Sequence, residues 1–438
     1  SSFGEFHPSE WRPKHGPGAV ADQRHTQFKY DFPTWSDKLD VVFPLAQFAF
    51  SNYADWVDFI GAKGTQGLSS HEPPSVLIAV PKTLSGPRLI AKEPTSHQWC
   101  QQSLLDFFAH KVKDSPISNS LNFRSQDRNR ELALVASLDG SYATIDLSSA
   151  SDRISCWLIE RIFRSNHSVL RALHASRTRW ISNEIDKKSP RYHVLRKFST
   201  QGSACTFPVE SIVFAILAMG SLLYSRGLTV TERNIRSLSS GVRVFGDDIV
   251  IATDGAELCL EVLARLGNKP NLAKCFLSGN FRESCGMDAF GGDEVTPVRI
   301  SSTPDKSRPG SIISSVDVHN NLLIRGYSAA AEFVKSTVMK ERKYLFPYVA
   351  IGSGTFGWWS FEGLTLPSHA KTRYNEDLHR MEALLDVAYA KSSRVPTDGS
   401  GQTLQWFTEA AGRNGFIHGD RIGVPVRPAN KIVRRWVP

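Results

Sequence analysis

Val242-Arg243-Val244-Phe245-Gly246-Asp247-Asp248-Ile249-Val250-Ile251-Ala252 is two β-rich runs separated by a glycine and a pair of aspartates. Val, Ile and Phe suit a pleated, half-buried surface, and Gly-Asp suits a tight turn. The stretch therefore predicts a β-hairpin with adjacent carboxylates at its tip. About a hundred residues upstream, residues 141–147 alternate weakly, contain Tyr, Thr and Ile, and read as a strand that stops at Asp146.

Working outward, residues 256–266 predict a helix that buries Leu258, Val262, Leu263 and Leu266. Between the two acidic elements, Thr200-Gln201-Gly202-Ser203 is a loop that opens a long apolar helix running to about Tyr224. The apolar run from Ile212 is interrupted by Gly220 and Ser221, is too short to span a bilayer, and reads as a buried helix. A basic stretch precedes it: Arg177, Arg179, Lys187, Lys188, Arg191, Arg196 and Lys197. Residues 151–175 and 96–112 are helical in pattern. Val76-Leu77-Ile78-Ala79-Val80 reads as a buried strand leading into a loop that bears Lys82, Arg88 and Lys92. Residues 1–75, rich in Pro, Gly and aromatics, predict irregular structure with a few short helices. Beyond about residue 300, helical patterns mix with turns and end in a basic tail, Lys431, Arg434 and Arg435. Strands and helices lack a βαβ rhythm, which favours an α+β architecture.

The chain of 438 residues is too long for one small core, and its 41% hydrophobic and 22% charged content is that of an ordinary globular protein. Lys and Arg outnumber Asp and Glu by 52 to 43, which fits a polyanionic partner such as nucleic acid. No basic amphipathic helix supports a membrane surface instead. Six scattered cysteines form no CxxC pair, against a disulfide framework or structural zinc and in favour of a reducing, cytosolic compartment. No signal peptide is read at the start, and the opening Ser1-Ser2-Phe3 without Met points to an N-terminal segment removed or left out.

Two-metal phosphoryl transfer needs carboxylates that converge on two cations about 3.5–4 Å apart. Aspartates at a hairpin turn, facing another at the end of a neighbouring strand, can supply them. Gly-Asp-Asp alone is weak evidence, because chance gives it to roughly one in ten chains of this length. The context carries more weight: Asp146 lies in Thr144-Ile145-Asp146-Leu147-Ser148-Ser149-Ala150-Ser151-Asp152.

That segment, then Gly202-Ser203-Ala204-Cys205-Thr206-Phe207-Pro208-Val209-Glu210-Ser211, then Phe245-Gly246-Asp247-Asp248, follow one another in polymerase order. With Lys274, Phe281-Arg282-Glu283-Ser284-Cys285-Gly286 and Val295-Thr296-Pro297, they resemble the RNA-dependent RNA polymerases of levivirus-type positive-strand RNA bacteriophages. Upstream, Val80-Pro81-Lys82 through Arg88 to Lys92-Glu93-Pro94 is similar to their basic motif over the incoming nucleotide.

The resemblance implies a right-hand fold of fingers, palm and thumb. Residues 1–139 would be the N-terminal region and fingers, 140–300 the palm with an inserted fingers segment at about 176–205, and 301–438 the thumb and C-terminal region. It implies template-directed RNA synthesis with two Mg2+ ions, Mn2+ as substitute, held by Asp146, Asp247 and Asp248. Lys82, Arg88 and Lys92 would contact the triphosphate, and Lys274 would protonate pyrophosphate, with Lys269 its rival. Asp152, Thr206 and Glu210 are the candidates for sensing the ribose. Gly202 would flex around template and nucleotide, and Arg282 would grip RNA; Glu283 and Cys285 are assigned to packing. The implied partners are template and product RNA, ribonucleoside triphosphates, host elongation factors Tu and Ts and a ribosomal protein, without a membrane, in the cytoplasm of a bacterial host. The sequence departs from the broader positive-strand pattern: Asp146 and Asp152 have five residues between them, Glu210 stands where Asn is usual, and Phe245 replaces Tyr. A capsidless-element polymerase, a reverse transcriptase and a non-catalytic RNA-binding relative are the competing readings.

Overall fold

The structure, a computed structural model, describes residues 3–11, 13–16, 18–23, 28–63, 68–83, 86–198, 200–391, 399–408 and 429–438. Chain contacts divide it into two compact units. One is built mainly from Ser1–Val80 and Arg88–Thr296, the other mainly from Pro297–Val395 with the C-terminal strand. Both mix helix and sheet, as the α+β expectation requires.

In the first unit, short helices at Asp37–Asp40, Leu45–Phe48 and Tyr53–Lys63 lead to β1 (Ser75–Thr83) and β2 (Gly86–Lys92). The loop expected after β1 is thus mostly a second strand. Its exposed residues hide it, because an outward-facing strand lacks an apolar run to announce it. Next come α1 (Thr95–Asp114), α2 (Asp127–Asp139) and β3 (Tyr142–Ile145). The single helical span expected over 151–175 is two helices, α3 (Cys156–Phe163) and α4 (His167–Ser176), each started by a side-chain cap, from Ser155 and Asn166. The basic stretch folds into β4 (Trp180–Asn183) and β5 (Tyr192–Val194).

The apolar helix α5 (Thr206–Ser225) is long and apolar enough to cross a membrane by composition, yet most of it lies inside the protein. Its Val209, Ile212, Val213, Phe214, Ala215 and Leu222 have no measurable exposure. Burial of each large apolar side chain contributes about 1.5–3 kcal/mol. The hairpin expected at Gly-Asp-Asp is β6 (Val242–Phe245) and β7 (Asp248–Ala252), followed by α6 (Thr253–Arg265). The buried stripe of α6 is Gly255, Ala256, Cys259 and Leu263, so Leu258, Val262 and Leu266 are only half-buried. Small residues face α5 because the helices meet closely: a Cβ on Gly255 would lie 3.1 Å from the Leu222 Cα. The unit ends in β8 (Phe281–Ser284) and β9 (Met287–Phe290).

The sheet order is β3-β7-β6, all antiparallel, with Ile145 paired to Ile249 and Phe245 to Asp248. A second sheet runs β2-β1-β4-β5. In the other unit, α7 (Pro309–Ile324) and α8 (Ser328–Glu341) pack around Ile312, Val316, Val338, Phe346 and Trp358. Strands β10 (Thr372–Asn375), β11 (Arg380–Lys391) and β12 (Ala429–Val437) form an antiparallel sheet there. The fully buried Asp386 of β11 accepts from Arg434 of β12 at 2.7 Å. Removing Arg434 would take the closest cation from the buried Asp386 carboxylate.

At the start of α1 the imidazole of His97 is completely buried, and burial pushes it down to about 3 from its usual 6.5. His97 therefore stays neutral when folded, while the unfolded chain takes up its proton near 6.5. The stability tied to the neutral ring is intact above that value and drains away as pH falls towards 3. His97→Gln should show a smaller drop in urea midpoint between about pH 7 and pH 4 than the parent. Identical pH dependence in both proteins contradicts the account.

Candidate active site at the β3, β6 and β7 strand ends

Antiparallel pairing of Ile145 with Ile249 sets the next position of β3, Asp146, opposite Asp248 at the start of β7. The link between β6 and β7 is the two residues Gly246 and Asp247, with φ positive (+64°) only at Gly246. That is the II′ type of hairpin, whose twist matches the strands. Three aspartates thus come from one turn and one strand end.

Neighbouring groups hold them. Asn271 donates its backbone N–H to the Asp146 carbonyl at 2.9 Å and its side-chain amide to Asp146 Oδ2, also at 2.9 Å. Asp248 Oδ1 accepts the backbone N–H of Cys285 at 3.0 Å. Cys285 and Gly286 form the two-residue turn between β8 and β9, both with positive φ. The Gly246-Asp247 turn itself is anchored to α5: Ser211 accepts the Gly246 N–H at 2.9 Å, and the Phe207 and Phe245 rings meet edge to face at 4.7 Å. Asn271, Cys285 and Ser211 are site residues that sequence reading missed. Their contributions run through backbone groups or through residues far apart in the chain; only the nearness of Asn271 to Lys274 hinted at one of them.

The site is crowded with negative charge. Burial first, then the neighbouring Asp247, Asp146 and Glu283, push the Asp248 carboxyl up to about 6 against the pull of the Cys285 N–H. Glu210, nearly buried on α5, is pushed up to about 8 by burial, Asp247 and Asp152. Like charges in a low-dielectric pocket resist ionising together unless a cation joins them. Among the described residues no three His, Cys, Asp or Glu side chains converge closely enough to hold a metal ion by themselves. Magnesium does not require one, since it binds through one or two carboxylates and completes its shell with water and substrate phosphates. The donors are hard oxygens, and they fit.

The other expected residues divide. Glu210 faces both Asp247 and Asp152, whereas the Thr206 hydroxyl donates to the Thr200 carbonyl at 2.7 Å. Lys274 pairs with Glu283 at 3.0 Å, and Glu283 in turn faces Asp248. Glu283 therefore belongs to the charged site and not to packing alone. Arg88 and Lys92 lie on β2, in the four-stranded sheet and not in that of the aspartates. The backbone of Lys82 is in β1, and its side chain lies outside the described residues.

Two expectations change. Arg282 is completely buried, and its guanidinium donates to the carbonyls of Tyr142, Gly279 and Phe281 at 2.6–2.8 Å. It ties β8 to β3 and cannot grip RNA. Gly202 is a point of contact and not a hinge: at φ +127° a Cβ there would sit 1.8 Å from the Ala91 carbonyl oxygen. Gly202→Ala should therefore cost about 2 kcal/mol or more of unfolding free energy. An unchanged urea midpoint would show that the loop gives way freely.

The site is thus a hairpin of paired aspartates facing a third across an antiparallel sheet. The chain belongs to the RNA replicase, beta-chain, family, whose model matches residues 26–307. It is 34% identical to the RNA-directed RNA polymerase beta chain of Escherichia phage MS2, over 52% of this chain and 38% of that protein. Against the beta chain of Enterobacteria phage GA the figures are 34%, 50% and 37%. The subunit beta of Qbeta virus (strain MX1) matches at 30% over 63% of this chain and 45% of its own length. The matched segment thus spans less than half of each relative. Among solved structures, the insertion loop deletion mutant of the RNA-dependent RNA polymerase of a human picorbirnavirus matches with TM-score 0.41 and 16% identity, covering 62% of this chain and 58% of that one. That likeness is too distant to define a fold.

Proposed function

We propose that the chain is the catalytic portion of an RNA-dependent RNA polymerase that copies a positive-strand RNA phage genome. The observation that carries this reading is the strand register that sets Asp146 opposite Asp248, beside Asp247 in the turn. Residues 1–139 serve as N-terminal region and fingers, 140–300 as palm with the inserted fingers segment at about 176–205, and 301–438 as thumb and C-terminal region.

Asp146 and Asp247, assisted by Asp248, hold two Mg2+ ions, for which Mn2+ substitutes. When bound, the metals lower the pKa of the primer 3′-hydroxyl and neutralise charge on the departing pyrophosphate. The protein's part is positional. Asn271 fixes the Asp146 carboxylate, the Cys285 amide fixes that of Asp248, and Ser211 anchors the turn. Asp152 and Glu210 line the ribose side; a neutral Glu210 can donate a hydrogen bond to a 2′-hydroxyl. Lys274, oriented by Glu283, supplies a proton towards pyrophosphate. Lys82, Arg88 and Lys92 contact the triphosphate. Elongation factors Tu and Ts and a ribosomal protein of the host are the partners this reading carries, in the host cytoplasm.

Template-primed extension tests it. The chain should incorporate ribonucleotides and not deoxyribonucleotides, lose activity on chelation, and recover it with Mg2+. Asp247→Ala should abolish incorporation; persistent incorporation in that variant overturns the metal-site assignment. Affinity for RNA should fall steeply with salt.

A further inference from the structure

The structure sorts the basic stretch before α5 into two groups. Arg177 is internal architecture: its guanidinium donates to the carbonyls of Phe198 and Leu195 at 2.7 Å and of Lys197 at 2.6 Å. Arg179 is tied to Glu72 at 2.6 Å. Lys187, Lys188, Arg191, Arg196 and Lys197 stay exposed, and among the described residues none of them is held in an ion pair.

These five cations surround the β4–β5 hairpin against only two carboxylates, Glu184 and Asp186. One carboxylate is already engaged, since Asp186 accepts from the Lys188 N–H and the Ser189 hydroxyl. The register pairs Trp180 with Val194 and Ser182 with Tyr192, so Trp180, Tyr192 and Val194 share one face. They are 41%, 51% and 55% exposed. Large apolar groups gathered in solvent on one face mark an interaction site. Trp180 and Tyr192 are diagonal neighbours, about 7–8 Å apart across the ladder, which leaves room for two separate flat groups. The Arg191 guanidinium already lies over the Tyr192 ring at 5.4 Å, so a cation and a π-face present together. Strand β5 is the outer strand of its sheet, which would admit an added protein strand, but it offers only three residues of edge. Flat aromatic faces ringed by unpaired cations match a chain of bases and phosphates better.

We propose that the β4–β5 hairpin is a docking platform for single-stranded RNA, with Trp180 and Tyr192 each stacking a base and Lys187, Lys188 and Arg191 holding the phosphates. It rests on the polymerase reading for its ligand class, and it is separate from the aspartate site. The platform binds strands without regard to sequence, because every base has a π-face.

The test is fluorescence anisotropy of the full chain with a labelled single-stranded RNA of about ten nucleotides. Replacing both aromatics, Trp180→Ala with Tyr192→Ala, should weaken binding about tenfold or more. Phe at both positions should restore most of the affinity, and binding of a blunt RNA duplex should be unchanged. Lys187→Ala with Lys188→Ala and Arg191→Ala should flatten the salt dependence. Unchanged affinity in the alanine pair overturns the proposal. So does an equal loss for single-stranded and duplex RNA, or a failure of Phe to rescue. Unchanged RNA affinity with lost self-association in sedimentation also overturns it, and makes the face a protein contact. The two readings fail separately: a chain that binds through the hairpin but never extends a primer refutes the polymerase, and one that extends normally without the aromatics' help in binding refutes only the platform.

Discussion

The pairing of β3 with β7 is the constraint on which the site depends. Side chains in strands alternate between faces, so a slip of one residue between Ile145 and Ile249 would turn Asp146 away from Asp248. That register is protected on both edges of β3. Beyond β7 the hairpin partner β6 completes the sheet, while on the other side Thr144 exchanges hydrogen bonds with Phe276 at 3.0 and 2.8 Å. Arg282 adds a third tie through the Tyr142 carbonyl, spending a buried cation on architecture. The apolar α5 underneath makes these polar ties strong by excluding water.

A carboxylate cluster in such a place is costly in isolation. Asp248 and Glu210 respond by moving well above their ordinary range, through burial and through each other's neighbours. The fold accepts that cost where it could have placed apolar side chains, a departure from local consistency expected at a functional site. The Cys285 turn makes the same point in backbone terms. A non-glycine residue at φ +50° delivers its N–H to Asp248, and strain of about 1 kcal/mol is stored to hold one oxygen atom.

Much of this was legible in the sequence. The hairpin followed from β-branched runs around Gly-Asp, and α5 from a long apolar run. The strand ending at Asp146 followed from weak alternation stopped by a carboxylate. What stayed hidden has a common physical cause. Exposure of a long cation cannot be read from its identity, so Arg282 looked like an RNA contact although it is sealed inside, while Lys187 and Arg191 looked the same and remain in water. The contact that fixes Gly202 is with Ala91, more than a hundred residues away, and no local signal encodes it. Backbone donors such as those of Cys285 and Gly246 carry no side-chain signature at all. The pairing of β1 with β2 was half-seen because the second strand faces outward.

The central claim is that Asp146, Asp247 and Asp248 share a divalent cation in the folded chain. Replacing Mg2+ with Fe2+ and adding ascorbate and peroxide generates radicals that cut the backbone only near the bound ion. The account predicts two principal cuts, around Asp146 and around Asp247–Asp248, both suppressed by excess Mg2+ and both lost in Asp247→Ala. Cleavage elsewhere in the chain, or cuts at these positions that Mg2+ fails to compete away, would contradict it.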